Sequence, residues 1–178
     1  MTLKFKRIDS KAQLPKYATS GSACFDLSII VDNGKNYPRS LSAVEGALTH
    51  TVSYGYDKDG AVNTDKYMIT IEPHCSVAFH TGLKCEIEPG KSMKIYDRSS
   101  TGIKSALLLS NGVGVIDSDY RGEIMIALTN LSNVPRVIYS GDRVAQAEIV
   151  PIIQEDIIEV DELSDTERGE SGIGSSGR

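Results

Sequence analysis

Asn111-Gly-Val-Gly-Val-Ile-Asp-Ser-Asp-Tyr-Arg-Gly-Glu-Ile-Met125 is the stretch on which the reading of this chain turns. Two short β-branched and apolar runs, 113–116 and 124–128, flank a polar segment closed by Gly122. That is how a strand, a turn and a returning strand are written, so a β-hairpin is expected here. A turn made only for folding needs a Gly and one Asp or Asn. This one also presents the amide of Asn111, the phenol of Tyr120 and the carboxylates of Asp117 and Asp119. The surplus of chemistry points to a binding pocket.

Outward from this stretch, short strands recur. Thr2 to Ile8 sets Leu3 and Phe5 against Lys4 and Lys6, the period of two of a half-buried strand, and Pro15 then breaks the pattern. Ala23 to Val31 is a second strand, with Asp26 between Phe25 and Leu27. A carboxylate among large apolar neighbours needs a partner or water. Residues 32–66 differ in texture: Asn33-Gly34, Pro38, the alternation of Val52, Tyr54 and Tyr56, and the Asp57-Lys58-Asp59-Gly60 turn describe an inserted β-hairpin arm, expected to be peripheral. Met68 to Ile71, Val77 to Ile87, Ser92 to Tyr96, Val137 to Tyr139 and Val144 to Ile153 continue the series, and only Ser105 to Leu109 suits a helical turn. Many strands at close spacing, without a sustained 3.6-residue apolar period, predict an all-β barrel or sandwich.

Length and composition set outer bounds. A chain of 178 residues with 40% hydrophobic and 24% charged residues suits one soluble domain, expected over 1–153. Residues 154–178 read as an acidic connector and a mobile Gly-rich tail, since 154–167 carry seven carboxylates and no base. The formal charge of −5 therefore sits in the connector, and the rest is slightly positive, too little for a duplex nucleic-acid face. No apolar run approaches the ~20 residues of a membrane helix, and Met1 to Arg7 lacks a signal-peptide core, so a cytoplasmic or other intracellular protein without a membrane partner is expected. Cys24, Cys75 and Cys85 are odd in number and lack a CxxC pair, the pattern of reduced thiols. His74 and His80 lie near no Cys/His cluster of usable spacing, so no protein-ligated zinc is predicted.

The opening stretch closely resembles the third signature motif of the homotrimeric deoxyuridine triphosphatases (dUTPases). Ser22-Ala-Cys-Phe-Asp-Leu27, Asp97-Arg-Ser-Ser100, Gly141-Asp-Arg-Val-Ala-Gln146 and Arg168-Gly-Glu-Ser-Gly-Ile-Gly-Ser-Ser-Gly177 resemble the family's other motifs, in its order. Together they span nearly the whole chain apart from 32–66. The resemblance implies a jelly-roll-like β-barrel that trimerises, with each site shared between protomers. It also implies hydrolysis of dUTP to dUMP and pyrophosphate, limiting uracil in DNA and supplying dUMP for thymidylate synthesis.

A triphosphate calls for guanidiniums, hydroxyls, backbone amides and a divalent cation. By resemblance, Arg98, Ser99, Ser100, Gln146 and Arg168 bind the phosphate chain, with Gly174, Ser175 and Ser176 near the γ-phosphate. Asp117 orients the attacking water, and Asp26 reaches Mg2+ through its water shell, as suits an ion that keeps most of its waters. Asn111 and the backbone of Val113 and Met125 read uracil, while the Tyr120 ring packs under deoxyribose. Arg143, beside Asp142 at a strand start, reads instead as a structural ion pair, and Asp119 as a turn former. Three departures stand out: Cys24 and Ser171 replace a usual Gly, and Ile173 stands where the family places a Phe that stacks over uracil. Two other readings are open: a dCTP deaminase-like enzyme of the same fold, and a nucleotide-switched regulatory protein whose inserted arm holds an unknown partner.

Overall fold

Alternation organises the barrel. In Met125–Asn130, the residues Ile126, Leu128 and Asn130 are buried while Met125, Ala127 and Thr129 are partly exposed, so one face of the strand meets the core. The computed structural model describes residues 2–32, 39–40, 50–56 and 59–172. In chain order the strands are β1 (Lys4–Arg7), β2 (Phe25–Ser28), β3 (Arg39–Ser40), β4 (His50–Tyr56), β5 (Val62–Ile71), β6 (Ser76–His80), β7 (Leu83–Glu86), β8 (Lys91–Asp97), β9 (Leu107–Leu109), β10 (Gly114–Ile116), β11 (Met125–Asn130), β12 (Arg136–Tyr139) and β13 (Arg143–Pro151). Among the described residues four antiparallel sheets result, ordered β1-β7, β10-β8-β13-β2, β3-β6-β11-β9 and β12-β5-β4. Inward residues from the sheets, among them Leu27, Ile69, Phe79, Met93, Ile124, Ile126 and Leu128, are fully buried in one core. The architecture is the all-β, jelly-roll-like fold expected. Among the described residues no helix is long and apolar enough to cross a membrane.

The strand boundaries expected from the sequence are largely those found, with three corrections. First, the opening stretch is not a hairpin: β10 pairs with β8 and β11 pairs with β6 and β9, so residues 117–124 cross between two sheets. The cause is local. The Glu123 carboxylate meets His80 Nδ1 at 2.5 Å and accepts the Gly82 N–H at 2.7 Å, and Ile124 bonds Leu83 O through its N–H and Thr81 Oγ1 through its carbonyl. These bonds fasten the returning chain to the β6–β7 junction, and β11 is paired by β6 on one edge and by β9 on the other.

Second, Val77 to Ile87 is two strands, β6 and β7, in different sheets. The chain breaks at Gly82, whose φ is +67° and where an added Cβ would lie 2.7 Å from Ile30 Cδ1 and 2.8 Å from Ala12 Cβ. No other residue fits both the backbone and the space. Third, the helical turn falls earlier than expected, as a single π-type turn over Ser100–Lys104, and Leu107–Leu109 is strand β9.

The inserted arm is a hairpin in its described part. β4 and β5 pair from His50↔Ile71 to Tyr56↔Val62, closing near Gly60 at φ +80°, and the Tyr54 and Tyr67 rings lie 5.1 Å apart. Beyond the arm, β5 runs on into the expected strand Met68 to Ile71, where Ile69 and Ile71 are fully buried, His50 to Ser53 pair on one edge and β12 on the other. The expectation for 33–38 and 41–49 lies outside the described residues.

Candidate active site

The sheet β10-β8-β13-β2 brings residues from distant parts of the chain to one end. β13 lies between β2 and β8, with Gln146 opposite Asp26 on one side and Tyr96 on the other. Asp26 is the centre of the resulting cluster. Its Oδ1 accepts Arg98 Nε at 2.7 Å and its Oδ2 accepts Arg143 Nη1 at 2.8 Å, which supplies the partners that its apolar neighbours cannot. Arg98 Nη1 also donates to Arg143 O at 2.8 Å and, more weakly, to Ser100 Oγ at 3.4 Å. Gln146 Nε2 donates to Asp97 O at 2.9 Å, tying β13 to the end of β8. Ser99 and Ser100 are exposed at the start of the π-type turn.

Two hollows meet at this cluster. One, of about 270 Å³, is lined by Arg98, Arg143, Thr101, Ser105 and Asp142. The other, of about 630 Å³, is lined by Asp26, Arg143, Arg7, Lys16 and Gln13. Guanidiniums, an ammonium, hydroxyls and an amide suit a polyanion, with one carboxylate in each hollow, Asp142 in the first and Asp26 in the second. A hollow of similar volume between Phe5, Tyr17 and Ile149 is mainly apolar and holds none of the expected residues.

Arg143 is the residue whose place the sequence reading missed. It does form an ion pair, as expected, but with Asp26, while Asp142 Oδ2 accepts the Tyr139 N–H. In a regular strand Arg143 and Gln146 would face opposite sides. The pairing of β13 with β2 shifts register between Arg143 and Ala145, and such a bulge re-aims a side chain. With that shift Arg143 reaches Asp26, while Gln146, opposite Asp26 in register, bonds Asp97 O.

The opening stretch lies elsewhere. Asn111 and Val113 are exposed before β10, Asp117 and Tyr120 are exposed after it, and Met125 begins β11. Tyr120 N bonds Asp117 O at 3.2 Å, and Tyr120 Oη donates to Glu123 O at 3.0 Å, so the phenol is held by the same segment that His80 and Gly82 fasten. Tyr120 folds over Gly122, where any Cβ would run into the ring. Asp119 lies in the turn, as expected. His80 is buried against Glu123, and His74 is exposed with its Nε2 2.9 Å from Asn133 Oδ1.

Asp117 and Arg98 do not meet in one chain. The pairing of Ile116 with Met93 sets Asp117 level with Ser92, at the far end of β8 from Arg98. Six residues at ~3.4 Å each separate the two by roughly 20 Å. Arg168 is apart as well: it is exposed, and its Nε donates to Ser171 O at 2.9 Å within its own turn. Ile173, Gly174, Ser175 and Ser176 lie outside the described residues.

Cys24, at the position of a usual Gly, is accommodated without strain: the described non-glycine residues with positive φ are His74 and Ala106. Its thiol is pushed above the usual range by burial, then by the carboxylates of Glu148 and Asp26. It is a protonated neighbour of the cluster at neutral pH.

Comparison with known proteins places this geometry. A dUTPase family model matches residues 64–177. Deoxyuridine 5'-triphosphate nucleotidohydrolases are similar along their whole length: that of Nautilia profundicola is 37% identical over 178 residues, covering 100% of both chains, and that of Hydrogenobaculum sp. 32% over 177 residues, covering 99% of both. Among solved structures, a Staphylococcus bacteriophage 80alpha dUTPase with dUpNHpp superposes with a TM-score of 0.72 at 21% identity, covering 99% of each chain. At that identity the likeness speaks for the fold.

Proposed function

This chain belongs to the dUTPase family, and on that premise we propose how its dUTP diphosphatase activity is carried out: water attacks the α-phosphate of dUTP, assisted by Mg2+, to give dUMP and pyrophosphate. The observation that carries the reading is that Asp26, Arg98 and Gln146, from three separate motifs, come together at one end of the β10-β8-β13-β2 sheet: Arg98 pairs with Asp26, and Gln146 lies opposite Asp26 in register and bonds Asp97 O.

In this reading Arg98, Ser99, Ser100 and Gln146 take the phosphate chain, and Arg168 with Gly174, Ser175 and Ser176 closes over its γ-end. Asn111, with the backbone of Val113 and Met125, reads the O4 and N3–H edge that distinguishes uracil from cytosine, and Tyr120 underlies the sugar. Asp117 accepts a proton from the attacking water and aims it; its exposure leaves it free for this. Asp26 suits Mg2+. An ion that keeps most of its waters needs one or two carboxylates and the substrate's phosphates, which is what one carboxylate at the rim of an arginine-lined hollow provides. Bound there, Mg2+ would neutralise charge on the phosphates.

The separation of roughly 20 Å between Asp117 and Arg98 along β8 supports a site assembled from several copies of the chain. We infer a homotrimer in which the Asp117 loop of one protomer faces the Asp26 cluster of another and a tail reaches over both. The tail is suited to leave its own barrel: Ile157, Ile158 and Leu163 are 76–99% exposed, an unusual cost for apolar side chains with no destination. The exposure of 153–172 supports the division proposed here, a barrel over 1–153 with a connector and tail over 154–178. The product's role, dUMP supply and exclusion of uracil from DNA inside the cell, follows from the reaction.

Incubation with each deoxynucleoside triphosphate and Mg2+, with the products separated and identified, tests this. dUTP should be converted to dUMP and pyrophosphate in equal amounts, dCTP should persist, and a chelator should stop turnover. Release of ammonia from dCTP would establish the deaminase reading instead.

A further inference from the structure

Asp26 is engaged on both carboxylate oxygens, and its two partners are held very differently. Arg98 is three-quarters buried and tied to Asp26, to Arg143 O and to Ser100 Oγ. Arg143 has a side chain 57% exposed, and its bond to Asp26 is its only side-chain hydrogen bond among the described residues. One guanidinium is a fixture and the other is a movable arm on the rim of both hollows.

We propose that Arg143 is a displaceable counter-ion of Asp26, which keeps that carboxylate from holding a divalent cation until a nucleotide's phosphate chain draws the guanidinium away. The proposal deepens the metal reading of Asp26 given above and rests on it.

The electrostatics favour this order of events. Asp26 with its two guanidiniums carries a net positive charge, and Arg7 and Lys16 stand on the same hollow. A hydrated dication arriving alone meets repulsion and an oxygen already filled by an N–H donor. A polyphosphate meets attraction. Phosphate oxygens offer Arg143 a bidentate, charge-assisted partner in exchange for its single bond to Oδ2, so the exchange is favourable for the guanidinium. It then frees Oδ2 at the moment the phosphates bring their own share of cation ligands. Arg143 is thus a positioning residue that makes cation binding conditional on nucleotide.

Mn2+ binding to the full-length protein, followed by water-proton relaxation, tests the idea without reference to turnover. With Mn2+ alone, Arg143→Gln should bind about tenfold more tightly than wild type, the scale of removing one unit charge near a dication at a solvated site. Adding Asp26→Asn to that variant should abolish the gain. With dUpNHpp present, wild type and Arg143→Gln should bind Mn2+ alike, because the guanidinium has already moved. Lys16→Gln, which removes a charge from the same hollow but no bond to Asp26, should give a clearly smaller gain than Arg143→Gln. Equal nucleotide-free affinity in wild type and Arg143→Gln would overturn the proposal, as would an equal gain in Lys16→Gln, which would reduce the effect to the general field. If Asp26→Asn alone left Mn2+ binding unchanged in the dUpNHpp complex, the metal role of Asp26 would itself fall and the proposal with it.

Discussion

Asp117→Asn is expected to lower turnover of dUTP by ~10²–10⁴-fold, the range lost when a general base is removed, while leaving nucleotide binding close to wild type. The substitution keeps the side chain's size and most of its hydrogen bonding but removes the basic oxygen. Asp117 is exposed at the end of β10, and the loop that carries it is anchored through Glu123 to His80 and Gly82 and through Tyr120 to Glu123 O. No side-chain bond of Asp117 to the barrel is among those described, so its loss should not disturb the fold. Steady-state kinetics together with a dUpNHpp titration separate the two effects: kcat should fall and the dissociation constant should hold. Near wild-type turnover would remove Asp117 from the chemistry.

The second large effect is expected from a chain ending at Glu167. It lacks Arg168 and the glycine- and serine-rich stretch behind it, and with them the guanidinium and amides assigned to the γ-phosphate. Loss of such preorganised donors costs about 10²–10³-fold per group in comparable anion sites, and kcat/KM should drop by at least that much. The barrel should be untouched, since residues 153–172 are exposed and lie outside every described strand. Circular dichroism and the sedimentation mass of the truncated protein should therefore match the full chain. Unchanged activity would make the tail a mere appendage.

Much of this was legible in the sequence because period-two alternation reports which face of a strand is buried. Ile126 and Leu128 turn inward, and Phe25 and Leu27 flank Asp26 as their pattern requires. What alternation cannot report is the partner. β10 and β11 look like two arms of a hairpin because each is a good strand on either side of a polar, Gly-containing segment. Their separation into different sheets was decided by Glu123, whose contacts with His80 and Gly82 lie 43 and 41 residues away in sequence. The helical turn was misplaced for a related reason: Leu107, Leu108 and Leu109 suit a helix or a strand equally, and pairing with β11 settles the matter.

Within the candidate site, motif resemblance led to Asp26, Arg98 and Gln146, which the structure brings to one end of the same sheet. Arg143 escaped because a bulge changes a side chain's direction without leaving a mark on the local pattern. Nor could spacing along the chain reveal that Asp117 and Arg98 sit at opposite ends of β8. That separation is the strongest structural reason for a shared site, and it makes the account testable by mixing.

Asp117→Asn and Arg98→Gln chains, each inactive alone, should be unfolded together, refolded as mixed oligomers and assayed for dUTP hydrolysis. If each site takes Asp117 from one protomer and Arg98 from another, about one quarter of the sites in an equal mixture receive both intact residues, and activity should return to that fraction of wild type. A mixture as inactive as its two parents would show that Asp117 and Arg98 must belong to the same chain, and would contradict the shared site.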